Sequence, residues 1–283
     1  MPTGGVGGGA IRAVGGDTLG TTIWPCGGDQ HCWELQSAAW SPDGTKLTFS
    51  VTSYGAPDDG YNGLHVVDIT TLKDVKVLGG EAADPAWSPD GATLAIVSRG
   101  IYLVGADGSY RPLYPTTGAG DYAPTWSPDS SRLAFGRRTY RRRSSASTTL
   151  GSSIWTIRRN ATKPTLLVRN AGWPAWSPDG TRIAYRSTCG IELMTPAGKN
   201  VTPRSARVTF STPNPRECNA LGLAGVPSWS PDGRKLAIAR GTSVYVMNAD
   251  GSNLRRVAEG LDPLVDRRPV RPAWQPTLGA ARG

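Results

Sequence analysis

Apolar residues in this chain fall in short runs separated by clusters of Gly, Pro, Asp and Asn, and none of the runs keeps the spacing of an amphipathic helix. One stretch shows the plan. Pro85-Ala86-Trp87 is followed by Leu94 to Val97, then Ile101 to Val104, then Arg111 to Tyr114. Ser88-Pro89-Asp90-Gly91 fits a type I turn, in which Pro pre-sets φ and Gly accepts the left-handed conformation that follows, so the first two runs form a hairpin. A second stretch repeats it with Val226 to Trp229, Leu236 to Ala239, Val244 to Met247 and Leu254 to Val257, the last two joined by Asn248-Ala249-Asp250-Gly251. Each stretch predicts four short antiparallel strands.

The unit recurs. Trp-Ser-Pro-Asp begins at Trp40, Trp87, Trp126, Trp176 and Trp229, and a worn copy reads Trp274-Gln275-Pro276, at intervals of 47, 39, 50, 53 and 45 residues. Such a period is that of a propeller blade. Pro stands two residues before the Trp at Pro85, Pro124, Pro174, Pro227 and Pro272, as suits an innermost strand with one unpaired edge, and Ala38 takes that place in the first copy. The tryptophans are expected to wedge between blades, and Asp43, Asp90, Asp129, Asp179 and Asp232 to serve their turns. The expectation is an all-β, six-bladed β-propeller with four-stranded antiparallel blades. Its last blade is shared between the termini, with outer strands at Ala10 to Val14 and Thr21 to Trp24. Residues 1–9 read as a flexible tail, 10–276 as one domain and 277–283 as a C-terminal tail.

The pattern Pro-x-Trp-Ser-Pro-Asp-Gly, then Leu-Ala-Ile or Ile-Ala-Tyr, then a Val-Met-Asn-Ala-Asp-Gly-like turn, resembles the TolB-type propeller repeat over roughly residues 33–276. That superfamily includes the periplasmic TolB component, propeller domains of prolyl oligopeptidase-type peptidases and oligogalacturonate lyases, so the resemblance implies a fold and leaves the job open.

Departures from the repeat mark the candidate functional face, because loops vary while a scaffold stays fixed. The segments 52–62, 136–153 and 199–226 exceed a minimal blade, and strand direction sends all three to the face shared by the b–c turns and d–a connections. The second carries Arg137, Arg138, Tyr140, Arg141, Arg142 and Arg143 without one acid; the others add Tyr54, Tyr61, Arg204 and Arg207. With a net charge of +9, these residues point to an acidic protein or peptide partner, with arginine forks steering it. The competing expectation is a solvated Ser/Arg-rich loop, and Asp58-Asp59 is expected to be a solvated turn rather than a calcium site. An alternative from another class is a carbohydrate-binding or lyase-like propeller acting on acidic polysaccharide. Nucleic acid is disfavoured, since Tyr140 is the one stacking side chain of that loop.

No Gly-x-Ser-x-Gly nucleophile elbow occurs, and His31 and His65 are the two histidines, so catalysis, a metal and a cofactor are not expected. Cys189 and Cys218 are placed beside one another by strand direction, and Cys26 and Cys32 lie six residues apart, so two disulfides are expected. With these goes a periplasmic or secreted location, a leader peptide being absent from the sequence, and a monomer without a transmembrane span.

Overall fold

The computed structural model describes residues 32–54, 62–80, 82–105, 109–114, 120–143, 146–188, 190–202, 208–209, 225–240, 243–259, 272 and 274. They form five four-stranded antiparallel sheets, each an up-and-down meander in chain order. Blade one holds β1 (Cys32–Trp40), β2 (Lys46–Tyr54), β3 (Gly63–Asp68) and β4 (Asp74–Gly79). Blade two holds β5 (Ala83–Trp87), β6 (Thr93–Val97), β7 (Ile101–Gly105) and β8 (Tyr110–Pro112). Blade three holds β9 (Gly120–Trp126), β10 (Arg132–Arg143), β11 (Ala146–Arg158) and β12 (Thr165–Arg169). Blade four holds β13 (Gly172–Trp176), β14 (Ile183–Arg186), β15 (Gly190–Met194) and β16 (Val208–Thr209). Blade five holds β17 (Val226–Trp229), β18 (Lys235–Arg240), β19 (Ser243–Asn248) and β20 (Arg255–Ala258).

Among the described residues the blades number five, which corrects the expected six. Within that set, five of the Trp motifs are followed by a full set of strands. The segments expected to complete a sixth blade, 10–14 and 21–24, lie outside the described residues. The sixth motif still supplies an indole, since Trp274 Nε1 donates to the Ser228 carbonyl at 3.1 Å.

That contact is one of a series. Trp126 Nε1 donates to the Ala86 carbonyl at 2.9 Å, Trp229 to Ala175 at 3.0 Å, and Trp87 to Thr48 Oγ1 at 2.8 Å. Each indole thus pegs its blade to the one before, as the sequence suggested. Trp176 departs from the series: its Nε1 reaches Gly180 of its own turn at 3.4 Å.

The core lies in layers between blades, built from alternate residues of the second and third strands. Ala95, Ile101 and Leu103 of blade two pack on Trp126, Leu133, Phe135 and Ile157 of blade three. Ala184, Ile191 and Leu193 of blade four meet Trp229, Leu236 and Ile238 of blade five. Burying each large side chain contributes roughly 1.5–3 kcal/mol, so these layers dominate stability. Outer strands are thin and wet; every residue of β8 is exposed.

The five tight turns share one design. The Gly44, Gly91, Ser130, Gly180 and Gly233 amides donate to the carbonyls of Ser41, Ser88, Ser127, Ser177 and Ser230, the bond of a β-turn. All five turn-closing residues have positive φ, including Ser130 at 57°. In each turn the Ser hydroxyl donates to the Asp two residues on. The five carboxyls lie below their usual range. For Asp129 the hydrogen bonds from the Ser127 and Ser131 side chains, then the Ser131 amide, bring the value to about 2. These aspartates are turn parts, as expected.

Candidate functional site at the inner rim of blades three and four

The segment 136–153, expected as a loop, is an extension of the sheet. β10 and β11 remain paired out to Arg143 and Ala146, with one slip between Thr139 and Tyr140. Thr139, Thr148 and Thr149 favour extended backbone, and the interleaved arginines separate when a strand sends them to alternate faces. β10 runs to seventeen residues beyond Trp126, whereas β6 and β14 stop ten beyond theirs. The ribbon is about 20 Å longer than its neighbours on that count. It leaves the ring on the b–c side, the face chosen from strand direction. The segment 199–226 is likewise not all loop, because β16, the fourth strand of blade four, comes from within it.

The six residues of the basic ribbon have different fates. Arg137 folds inward: its Nε donates to Asp121 Oδ1 at 2.7 Å and its Nη2 to Oδ2 at 3.2 Å. The Asp121 side chain is wholly buried and also accepts from the Tyr114 hydroxyl. The Arg137 guanidinium lies against the Trp155, Phe135 and Tyr114 rings at 4.9, 5.4 and 5.5 Å. Burial pushes Arg137 down, but the hydrogen bonds and charge of Asp121 prevail and hold it above the usual arginine value. Burial, then the Asp121 charge, pushes the Tyr114 phenol up. This is an internal ion pair.

Arg138 stacks on Tyr122 of the adjoining strand β9, its guanidinium carbon 4.5 Å from the ring centroid. Tyr140 is 38% exposed and lies over Gly120, where an added Cβ would stand 2.6 Å from its Cε2. Arg141, Arg142 and Arg143 continue β10 at the ribbon's tip. Tyr54 closes β2 and Cys32 opens β1. Tyr61, Arg204, Arg207, Cys26, Cys189 and Cys218 lie outside the described residues.

Tyr122 organises the rest of the rim. It is buried, tilted against Trp173 at 5.1 Å, and its hydroxyl is hydrogen-bonded to Ser152 Oγ. Glycine is required on either side of it: a Cβ on Gly136 would collide with the ring, and one on Gly172 with the hydroxyl. Burial raises the Tyr122 phenol above its usual value despite the Ser152 hydrogen bond, so the group stays a neutral donor. Arg186 sits opposite Gly172 in the blade-four ladder and is half-buried. Burial holds its guanidinium below the usual arginine value; the Tyr122 side chain opposes that shift and the Arg138 charge adds to it.

The inner strands bend beside this cluster. Asp84, Ala123 and Trp173 have φ of 48°, 51° and 54°, each just before a strand proline, and the ladders slip at these points. These are β-bulges, and they explain how three of the prolines are accommodated. They are also tied across blades: the Asp84 amide donates to Ser37 Oγ at 2.9 Å, and Asp84 Oδ2 accepts from the Ala123 amide at 2.8 Å.

Sequence reasoning found the ribbon and missed Tyr122, Ser152 and Arg186. One signal was present. Ten residues after each motif Trp stand Ser50, Val97, Gly136, Arg186 and Ala239, and Arg186 is the long charged side chain in a column of small ones.

Comparison with known proteins bears on this geometry. No family model matches the chain. It is 31% identical over 102 residues to a Protein TolB homolog of Chlorobium luteolum, covering 34% of this chain and 22% of that protein. It is also 31% identical over 90 residues to the Tol-Pal system protein TolB of Francisella tularensis, covering 30% and 19%. Over those stretches, about a third of the chain, its repeats are similar to those of TolB proteins. The matched stretch spans about a fifth of those relatives' own length. Among solved structures, a protein described as TolB from Agrobacterium tumefaciens superposes with a TM-score of 0.59 at 20% identity, covering 90% of this chain and 88% of that one. A gluconolactonase from Xanthomonas campestris superposes at 0.55 with 16% identity, covering 81% and 76%. The propeller thus shares its architecture with an enzyme, and these likenesses speak to fold alone.

Proposed function

We propose that this chain is a non-catalytic TolB-like propeller that binds a protein or peptide partner through the face bearing the β10–β11 ribbon. The single observation behind this is the ribbon itself, a paired extension carrying Arg138, Tyr140, Arg141, Arg142 and Arg143 beyond the reach of β6 and β14. Preformed strands reduce the ordering cost of association, and a basic tip draws an acidic surface toward it. Tyr54, Tyr61, Arg204 and Arg207 belong to the same proposed face. Arg137, held by Asp121, contributes by keeping the ribbon's base rigid. Relatives named as Tol-Pal system proteins support assembly with other proteins.

A periplasmic or secreted location and disulfides Cys26–Cys32 and Cys189–Cys218 belong to the same proposal. No helix among the described residues is long and apolar enough to cross a membrane. Peptide mapping without reduction is expected to find Cys189 joined to Cys218, and free thiols at both would remove the oxidising-compartment argument.

The direct test replaces Arg141, Arg142 and Arg143 together by Ala and compares capture of partners from the native extracytoplasmic milieu. Thermal stability is expected to stay nearly unchanged, because surface substitutions away from the core rarely exceed about 0.5 kcal/mol each. Partner capture is expected to fall, and more steeply at low salt than at high. Undiminished capture would rule out the basic ribbon as the contact.

A further inference from the structure

Two arginines from different blades converge on one phenol at the inner rim. Arg138 of blade three stacks on the Tyr122 ring, and Arg186 of blade four stands opposite Gly172, the residue whose missing side chain admits the Tyr122 hydroxyl. Ser152 Oγ is in the same place, 3.3 Å from where a Gly172 Cβ would be. Among the described residues the ion pairs are His65–Asp74, Arg137–Asp121, Arg159–Asp90 and Arg256–Glu259, so neither rim arginine has a carboxylate from that set. Asp84 is in electrostatic reach of Tyr122, but one of its oxygens is committed to the Ala123 amide.

Like charges in a half-buried recess are unfavourable until something neutralises them. The hydroxyls sharpen the picture. Tyr122 and Ser152 are bonded to each other, which consumes one of their two hydrogens and leaves the second to donate elsewhere. Two guanidinium forks and one spare hydroxyl hydrogen outnumber the single uncommitted oxygen of Asp84, so the recess is rich in donors. Its complement is a planar oxyanion that accepts in pairs, a carboxylate before all others.

We infer that Arg138 and Arg186, with Tyr122 and Ser152, form a seat for a single side-chain carboxylate of an acidic peptide, bridging blades three and four beside the ring axis. This rests on the partner-binding function proposed above and names the chemistry that the ring, as distinct from the ribbon, recognises. The ribbon's tip gathers an acidic segment by long-range attraction, and the rim holds one of its carboxylates by geometry. The column of small residues explains why the seat is at this seam: Ser50, Val97, Gly136 and Ala239 offer no charge at the corresponding positions of the other blades.

The test is titration of the full chain with pentaglutamate blocked at both ends, followed by calorimetry. Blocked pentaglutamine, inorganic phosphate and trigalacturonate serve as comparison ligands. Pentaglutamate is expected to bind the native protein more tightly than the other three. Arg186→Gln and Arg138→Gln are each expected to weaken it by at least about tenfold, and Ser152→Ala by about threefold, as loss of charged and neutral hydrogen bonds implies. Arg111→Gln, on the exposed outer strand of blade two, controls for net charge and is expected to change nothing. Pentaglutamate affinity unchanged in both arginine variants, with unaltered melting curves, overturns the seat. Tighter binding of phosphate or trigalacturonate than of pentaglutamate overturns the peptide assignment. The two proposals fail separately: loss of protein capture on changing the ribbon tip bears on the first, and loss of pentaglutamate binding on changing Arg186 bears on this one.

Discussion

Asp121 is the residue on which blade three's inner edge depends. Its buried carboxylate meets Arg137 and Tyr114 together, and three aromatic rings surround the guanidinium. Asp121→Asn leaves that arginine without its counter-charge, so unfolding in urea is expected to show a loss of about 3 kcal/mol, typical of breaking a buried pair. The turn aspartates predict a different signature. The Ser127 and Ser131 hydrogen bonds hold the folded Asp129 carboxyl at about 2, below its ordinary value of 3.8. Its contribution to stability is therefore present above the unfolded value and is lost as the pH falls through the folded one. Urea midpoints of Asp129→Asn and the parent protein are expected to differ at pH 7 and to converge toward pH 2; a constant gap would show that the turn carboxyl does not act through its charge. The turn roles were legible because Ser-Pro-Asp-Gly writes its own hydrogen bonds. Arg137 was not: a strand arginine reads as surface charge until Asp121, sixteen residues earlier, is seen opposite it in the ladder.

At the level of elements, the indoles hold one blade to the next and the β10–β11 hairpin extends past its neighbours. Trp229→Phe removes the Nε1 donor to Ala175 while keeping most of the ring, and is expected to cost about 1 kcal/mol. Trp229→Ala, which also empties the layer shared with Leu236 and Ile238, is expected to cost about 3–5 kcal/mol. Thermal unfolding of the pair separates hydrogen bond from packing. Strand positions were readable from the repeat, since spacing, turn and apolar run agree. The ribbon was not read as strand, because its run of charged and hydroxyl residues carries no apolar alternation. What keeps it paired is continuity with a buried base at Phe135 and Ile154.

Across the whole molecule, a formal charge of +9 is set on a propeller from which the β10–β11 hairpin runs past its neighbours. Association with an acidic partner is expected to slow as salt shortens the screening length, to about 8 Å at physiological ionic strength, with dissociation changing less. Stopped-flow measurements at two ionic strengths separate the rates. Ring architecture was legible in the tryptophan period, but the number of blades was not, because a motif announces an inner strand and does not guarantee three more behind it. The indole of Trp176 has a further consequence. It bonds to its own turn, leaving the boundary between blades three and four without the peg found at the other described boundaries. A guest held by Arg138 on one side and Arg186 on the other would act there as a rivet, adding to the Trp176 amide bond to Thr125 Oγ1 and the packing of Trp176 on Ala134 and Ile154. Amide hydrogens of β9 and β13 should then exchange more slowly when the guest is bound, making occupancy at the centre audible in the mechanics of the wheel.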